Sequence, residues 1–476
     1  MEPRDACDLV IQAALEKGAH FVEARFVQEC TNQFVLKNGN PEIGAFVRSS
    51  GLGLRLITDG AAGFASLNVL TKKNIDEAVH AAIKIARSSK KLRHTTLELS
   101  EEPAYEVSYE AQAKEKPVDK HPEDKVRLLG EIDNSLASGQ LPFRICVLWD
   151  NDETKYYVNS EGSRIESHIP QVLFFGLVTA VAGGEMEQSY IQKGASGGYE
   201  WIERWDLINY LTKEAETLAK IASEAKSPPT GIIDFVVGPN VAGIIAHENC
   251  GHPSEADRIL GREAAQAGES YLTAEFLGKK IGSDFVTIID DPTIEGSYGY
   301  YLYDDEGVKA RPRSLIENGV FKEMLHNRES ASIFDTQSSA ASRAAGFNRE
   351  PIPRMANTYI APGELAWDEI IEDIKLGIYM VNFTEWNIDD RRFQSKYVGK
   401  ECYLIRNGEI TSDLVKRPAL ETTTTDLFAS IDGATKGELK GDKNFDAALC
   451  GKGDPAQGIP VWTGGPLGTR IRNIRI

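Results

Sequence analysis

The 476-residue sequence predicts an α+β protein, in which N-terminal mixed sheet units with flanking helices precede a β-rich, barrel-like C-terminal domain that carries a metal site. Two observations lead to this fold class. Helical spacing of apolar residues is concentrated before residue 226, whereas glycine and short strand-like runs dominate after residue 230. Between them, Ser227-Pro228-Pro229-Thr230-Gly231 marks the main boundary, because two prolines block the continuation of a helix.

Within this class we predict three units, over residues 1–100, 101–226 and 227–476. The first contains a helix over 4–18, strands over 21–26, 33–37 and 44–48, a hairpin turning at Asp59-Gly60, and a helix over 74–88. The second contains a helix over 122–138, strands over 143–150, 154–159, 164–168 and 172–182, and a helix over 202–226. The third contains strands over 285–289, 320–325, 403–405 and 471–476, with a hairpin at Asn407-Gly408.

Composition excludes several classes of protein. The net charge of −18 argues against a nucleic-acid-binding surface, which needs clustered lysine and arginine. No stretch approaches the roughly 18 apolar residues that span a bilayer, and the charged first residues contain no signal-peptide core. Six scattered cysteines without a Cys-x-x-Cys pair do not suggest a disulfide framework. We therefore expect a cytoplasmic protein with no membrane partner.

We expect the functional site in a segment near the middle of the chain, where His247 and His252 flank Glu248 after a strand-like run over 231–240. Neutral imidazoles are good zinc ligands, and a neighbouring carboxylate can accept a proton from water activated by the metal. The same pattern also arises when two unrelated histidines cap or cover a helix. The spacing alone does not decide between these interpretations.

The spacing of the two histidines, i and i+5, does not suit a regular helix. Five residues rotate by about 500°, so the two side chains would diverge by roughly 140°. A π-type turn would bring His247 and His252 together. Alternatively, the helix ends at Gly251 and leaves His252 extended, which Pro253 favours. Gly251, without a Cβ, makes either distortion inexpensive.

A catalytic zinc site needs a third protein ligand, and spacing cannot choose it. Five residues are chemically competent: Cys250, Glu255, Asp257, His326 and Cys450.

A series of motifs extends the signal beyond the two histidines. These are Ala246-His-Glu-Asn-Cys-Gly-His-Pro-Ser-Glu-Ala-Asp257, Tyr303-Asp-Asp-Glu-Gly307, Leu315-Ile-Glu-Asn-Gly319, Pro351-Ile-Pro-Arg-Met355 with Asn357-Thr358, Tyr403-Leu-Ile-Arg-Asn-Gly408, and Cys450-Gly-Lys-Gly453. In this order they resemble the TldD subunit of the TldD/TldE (PmbA) zinc metallopeptidases. The resemblance covers the third unit well and the first two more loosely. One segment, residues 382–390, departs from the Gly-Gly-rich stretch usual in TldD relatives.

The resemblance implies that His247, His252 and Cys450 bind Zn²⁺ and that Glu248 is the general base. It also implies hydrolysis of small or unfolded peptides by a heterodimer with a TldE/PmbA-like sister subunit, a homodimer being the alternative. Two other functions stay open: a zinc hydrolase of a non-peptide amide, and a non-catalytic domain with a structural zinc. The glutamate at 248 argues against the second, because a structural site does not need a base.

Further candidates for the site are polar residues near the motifs. Tyr298 or His326 could stabilise an oxyanion opposite the metal. Arg354 and Asn357 could bind substrate carbonyls or a peptide terminus, although a structural salt bridge would explain them equally well. The carboxylates of residues 304–306 could hold a cation or a peptide amine, but a turn before a hairpin is the simpler interpretation.

Overall fold

The computed structural model describes residues 1–92, 95–137, 141–265 and 268–476, and its fold is α+β, as predicted. The N-terminal half is built on one seven-stranded sheet. Its strands are β1 (Phe21–Lys37), β2 (Asn40–Thr58), β3 (Ala61–Leu67), β4 (Glu106–Glu110), β5 (Phe143–Asn159), β6 (Arg164–Ala182) and β7 (Glu185–Ser196). The order is β3-β2-β1-β5-β6, with β4 and β7 both paired to β6. Strands from the first two predicted units therefore share one sheet, while the unit boundaries stay predictions.

Several strands of this sheet differ from their predictions. Strands β1, β2, β5 and β6 each span two segments that the sequence predicted as separate strands, and β4 and β7 were not predicted. The two predicted strands over 143–150 and 154–159 are a single strand, β5, which pairs with β1 from Ile145 to Asn159. Residues 151–153, between the two predicted strands, also pair with β1. Asp150, the last residue of the first predicted strand, is fully buried, and its carboxylate accepts hydrogen bonds from Lys125 Nζ at 2.8 Å and Tyr199 Oη at 2.7 Å. Because these partners satisfy it, the strand continues through it.

In the described part of the N-terminal half, five α-helices cover this sheet. They are α1 (Pro3–Glu16), α2 (Lys72–Ser89), α3 (Pro122–Ala137), α4 (Glu200–Arg204) and α5 (Leu207–Glu224). The predicted end of α3, Ser138, lies outside the described residues. The helix predicted over 202–226 is divided into α4 and α5 because Asp206 adopts a left-handed conformation, with φ of 46°. Helices α1 and α2 bury their apolar stripes against β1 and β2, and α3 and α5 belong to a second core.

The region after residue 230 is rich in short strands. They are β8 (Ile232–Val237), β9 (Ile288–Asp290), β10 (Arg313–Glu317), β11 (Val320–Phe321), β12 (Ser342–Arg343), β13 (Ile352–Pro353), β14 (Asn357–Ile360), β15 (Leu376–Met380), β16 (Phe383–Ile388), β17 (Gln394–Gly399), β18 (Cys402–Arg406), β19 (Glu409–Leu414), β20 (Ala419–Thr423), β21 (Ile431–Ala434), β22 (Phe445–Lys452), β23 (Gln457–Gly464) and β24 (Thr469–Arg475). Two six-stranded sheets have the orders β11-β10-β9-β14-β23-β22 and β19-β18-β15-β8-β24-β21. A third sheet has the order β16-β17-β20, and β12 pairs with β13.

Short helices join these strands: α6 (Pro239–Ala246), α7 (Ala256–Ile259), α8 (Arg328–Ile333), α9 (Trp367–Ile371), α10 (Thr424–Ser430) and α11 (Gly441–Asn444). The hairpin predicted at Asn407-Gly408 is confirmed, since both residues have positive φ (49° and 82°) as its turn requires. None of the helices in the described ranges is long and apolar enough to cross a membrane.

Two elements of this region carry the candidate site. Strand β8 leads through Gly238 into α6, whose residues from Val241 to Ala246 are all buried. Strand β22 pairs with β23, and Trp462 on β23 donates from Nε1 to the carbonyl of Gly194 on β7 at 2.6 Å. The N-terminal sheet and the C-terminal region therefore share a packed interface beside β22.

Candidate metal centre

A π turn brings the two histidines together. Helix α6 continues as a π-helical segment over His247–Gly251, followed by a 3₁₀ turn over His252–Ser254. The His252 N–H donates to the His247 carbonyl, which is the i to i+5 bond of a π turn. His252 has φ of −59° and ψ of −45°, so the expectation that Pro253 makes it extended is wrong. Here the π hydrogen bond outweighs the steric preference of a residue before proline.

Gly251 is required for packing rather than for backbone freedom. Its φ of −56° and ψ of −61° are ordinary helical values. A Cβ at this position would lie 1.9 Å from Met355 Sδ, far inside contact distance. The buried Met355 side chain thus occupies the space that any larger residue at 251 would need.

Three donors converge beside this turn. One ligand atom from each of His247, His252 and Cys450 lies within 4.8 Å of the other two. Cys450 Sγ is 3.3 Å from His252 Nε2, and the two imidazole ring centroids are 4.9 Å apart with an interplanar angle of 78°. All three side chains are buried. Among the described residues, Cys450 alone of the five candidate third ligands joins the histidines.

The chemistry of this cluster fits a zinc ion. Ligand distances of about 2.3 Å for sulfur and 2.0 Å for nitrogen put tetrahedral ligands about 3.5 Å apart, close to the observed 3.3 Å. His247 Nδ1 is buried without a hydrogen-bond partner among the described residues. Burial would raise the pKa of the Cys450 thiol, but positive charge on His252 and Arg354 lowers it well below its usual value. A thiolate is the form that binds metal.

A buried network of charges holds His252 in place. Its Nδ1 lies 3.0 Å from Glu255 Oε2, so Nε2 is left facing Cys450. Glu255 is in turn 3.1 Å from Lys452 Nζ and 3.7 Å from Arg354 Nε. Despite its burial, the charges of Lys452, His252 and Arg258 keep the pKa of Glu255 well below its usual value. A carboxylate that accepts a hydrogen bond from one ring nitrogen of a histidine fixes the orientation of the imidazole and makes the other nitrogen a more basic ligand.

Glu248 lies on the same turn and contacts two residues that were not predicted as site residues. Trp386 Nε1 donates to Glu248 Oε1 at 3.2 Å, and Arg392 Nη1 lies 3.5 Å from Oε2. Trp386 belongs to β16, within the segment over 382–390 that departs from the TldD pattern. The unusual sequence of this segment was the only feature of the sequence that drew attention to Trp386. No sequence signal pointed to Arg392.

The other predicted site residues lie in separate surroundings. Tyr298 packs in the core shared with the N-terminal sheet. His326 is buried against Phe334 with its Nδ1 at 3.1 Å from Ser330 Oγ, and burial lowers its pKa to about 4. Arg354 is fully buried and donates to the carbonyls of Cys450 (2.6 Å) and Gln457 (2.8 Å).

Asn357 is also fully buried, and internal partners occupy its amide. Its Nδ2 donates to the Asp291 carbonyl at 2.6 Å, and its Oδ1 accepts from the Gly299 and Trp462 N–H groups. The contacts of Arg354 and Asn357 therefore favour supporting roles. The carboxylates of 304–306 form a buried turn, in which Asp304 Oδ1 accepts from the N–H of Glu306 at 3.0 Å.

Comparisons with known proteins agree over nearly the whole chain. Models of the PmbA/TldD family, described as PmbA/TldA metallopeptidase domain 1, central domain and C-terminal domain, match residues 22–86, 115–226 and 230–466. A metalloprotease of Methanocaldococcus jannaschii is 30% identical over 455 residues, which is 96% of each chain. A protein of Saccharolobus solfataricus named as a zinc metalloprotease TldD homolog is 24% identical over 465 residues, again 96% of each chain.

Solved structures share the fold. A putative modulator of a DNA gyrase from Thermotoga maritima superposes with a TM-score of 0.78 at 16% identity, covering 99% of both chains. TldE from Thermococcus kodakarensis superposes with a TM-score of 0.73 at 16% identity, also covering 99% of both. At this identity the likeness concerns the fold alone.

Proposed function

The chain belongs to the PmbA/TldD metallopeptidase family, and we propose that it is a zinc-dependent peptidase of the TldD type that hydrolyses small or unfolded peptides. In this proposal His247, His252 and Cys450 hold the metal. Glu248 is the general base.

The observation that carries the proposal is the combination of three converging donors with an adjacent buried carboxylate. Structural zinc sites are closed by four protein ligands, whereas catalytic sites keep one position open. The described residues supply three donors at this point. Glu248, next to His247 in the chain, is buried and is not one of the three. The arrangement therefore supports a catalytic rather than a structural metal.

The residues around Glu248 suggest how the reaction proceeds. When bound, zinc lowers the pKa of a coordinated water to about 7 and polarises a carbonyl. Glu248 accepts a proton from the attacking water on a carboxylate oxygen and then delivers it to the leaving amine. Trp386 holds one carboxylate oxygen by its 3.2 Å hydrogen bond, and the Arg392 cation lies beside the other. These two contacts hold the carboxylate in one orientation beside the metal donors.

An extended peptide is the substrate that best suits the surroundings. Strand β16 is an edge strand, since in the described parts of the chain its only sheet partner is β17. A peptide could add to such an edge through main-chain hydrogen bonds, which do not depend on its side chains. The half-exposed Trp386 places this strand directly beside Glu248. Only unfolded or short chains can adopt the extended form needed.

Replacing Glu248 with Gln tests the mechanism. The variant should retain its fold and its zinc but lose hydrolysis of unfolded casein by at least a hundredfold, because removal of a general base costs about 10²–10⁴-fold. Glu224→Gln, at an exposed position on α5, is the matched control and should keep full activity. Unchanged activity of Glu248→Gln would rule out the mechanism. A panel of small amides run in parallel would reveal a non-peptide amidase.

The partner and the third ligand can be tested together. We propose a heterodimer with a TldE/PmbA-like sister subunit, supported by the fold shared with TldE, a homodimer being the alternative. Metal analysis of Cys450→Ser, alone and co-expressed with a sister subunit, should show reduced zinc content in both cases. Full zinc occupancy would remove Cys450 from the site. Light scattering of the same samples would distinguish the two assemblies.

A further inference from the structure

Two distant parts of the chain supply the three metal donors, so the strand that carries Cys450 must be held against the π turn. This strand, β22, pairs with β23 without a break in register from Phe445 to Lys452. Alternate residues of a strand point to the same face, so Cys450 and Lys452 extend to one side. Both are buried, whereas Leu449 and Gly451 are exposed. Lys452 therefore reaches toward the same side of β22 as the thiol.

The ammonium group of Lys452 is held by residues that follow the π turn. Its Nζ donates to Asp257 Oδ1 at 2.7 Å and to the Pro353 carbonyl at 2.9 Å. It also lies 3.1 Å from Glu255 Oε2, and only 1% of the Lys452 side chain is exposed. Buried ion pairs are screened far less than exposed ones. These contacts therefore attach β22 firmly to the segment over 255–257.

Glu255 connects Lys452 to a metal ligand. The same oxygen, Oε2, lies 3.0 Å from His252 Nδ1 and 3.1 Å from Lys452 Nζ. The other ring nitrogen, His252 Nε2, is 3.3 Å from Cys450 Sγ. The contacts form a closed ring, which runs from His252 through Glu255 to Lys452, along β22 to Cys450, and back to His252. A ring of this kind fixes the separation of the thiol and the imidazole.

Two arginines also lie beside Glu255, but neither belongs to β22. Arg258 Nε is 3.6 Å and Arg354 Nε is 3.7 Å from this carboxylate. Charge compensation of Glu255 therefore does not depend on Lys452 alone. Lys452 is the cation among them that the ligand-bearing strand itself carries. Its ion pair joins that strand to the carboxylate that orients His252.

We propose that Lys452 is a positioning residue of the metal centre: through Glu255 it holds β22 in place and keeps Cys450 Sγ beside His252. This role rests on the proposed zinc site, to which it adds a residue that does not touch the metal. Ligands that are already in position bind more tightly, because little further ordering is needed on binding. Loss of the ammonium should therefore weaken zinc binding and, above all, the bond from the thiolate.

Lys452→Met in the full-length protein tests this role, since it keeps an unbranched side chain and removes the ammonium. Partners of metal ligands contribute about 10–100-fold to metal affinity, so zinc should bind at least about tenfold more weakly in competition with a chelator. With Co²⁺ in place of zinc, the absorption band of the cobalt–thiolate bond should lose intensity. Unchanged zinc affinity or an unchanged cobalt band would overturn the proposal.

Lys125→Met is the matched control for the loss of a buried lysine. Lys125 on α3 pairs with Asp150 at 2.8 Å, and only 2% of its side chain is exposed. Removing one partner of a buried ion pair is destabilising, so both variants should have a lower thermal midpoint than the parent. Lys125→Met should nevertheless keep the zinc affinity and the cobalt band of the parent. An equal loss of zinc affinity in the two variants would overturn the positioning role.

A double variant keeps the test decisive if Lys452→Met does not fold. Glu255→Gln with Lys452→Met removes both charges of the pair, which avoids leaving the Glu255 carboxylate buried without this cation. Because Lys452 acts through Glu255, the double variant should bind zinc less than about threefold more weakly than Glu255→Gln alone. A further loss of about tenfold would overturn the route through Glu255. A parent protein that binds no zinc would instead refute the proposed metal site.

Discussion

Replacing Gly251 with Ala tests whether packing against Met355 holds the π turn. The new methyl carbon would lie 1.9 Å from Met355 Sδ, whereas ordinary contact begins at 3.4 Å, so the two must separate by about 1.5 Å (3.4 − 1.9). Met355 is fully buried and has little room to move. Overpacking of this kind costs about 1–3 kcal/mol. Because Gly251 precedes His252, we also expect zinc to bind about tenfold more weakly.

A double-mutant cycle separates this contact from other effects of the substitution. Met355→Ala alone should destabilise the protein by about 2–5 kcal/mol, since it leaves a cavity. In that background Gly251→Ala should cost less than about 1 kcal/mol, because the methyl group enters the vacated space. Urea denaturation gives the free energies of unfolding, and competition with a chelator gives the zinc affinity. An equal cost of Gly251→Ala in both backgrounds would refute the role of Met355.

Three further predictions concern other parts of the chain. Glu255→Gln should weaken zinc binding about 10–100-fold by releasing His252, and unchanged chelator competition would contradict this. Trp386→Phe removes the hydrogen bond from the indole to Glu248, and such a bond contributes about 1 kcal/mol. We therefore expect kcat/KM to fall about fivefold while the zinc content stays constant. Unaltered kinetics would show that the indole does not orient the carboxylate. His326 has its pKa lowered to about 4 by burial, so the native protein loses stability as pH falls from 6.5 to 4. At 1.36 kcal/mol per pH unit, the parent should lose about 3 kcal/mol of unfolding free energy over this range that His326→Asn does not lose. Acid denaturation of both proteins measures this difference, and an equal dependence of their stability on pH would contradict the burial argument.

Local structure could be predicted where the chain carries its own signal. Helices α1 and α2 begin and end within two residues of their predicted positions, because apolar spacing marks the buried face directly. The motif gave the two histidines and the glutamate, but it could not choose between a π turn and an extended His252. In the structure the π turn packs against Met355, which lies more than a hundred residues further along the chain.

Contacts between distant segments could not be predicted. Trp386 and Arg392 contact Glu248 because β16 and the turn after it lie beside the π-helical segment that follows α6. The periodicity of a sequence indicates which face of a helix or strand is buried, but not which distant residues pack against that face. The same applies to Glu255 and Lys452, which lie far apart in the sequence and form a buried ion pair in the structure. For Cys450, the resemblance to TldD supplied what spacing left open.

The position of Cys450 on β22 has a consequence for how the protein is made. It follows His252 by 198 residues, and ribosomes add about 5–20 residues per second. For about 10–40 seconds a growing chain therefore carries both histidines without their thiolate. Strand β22 also needs β23 as its pairing partner. A nascent chain thus cannot assemble the three-donor cluster until late in its synthesis.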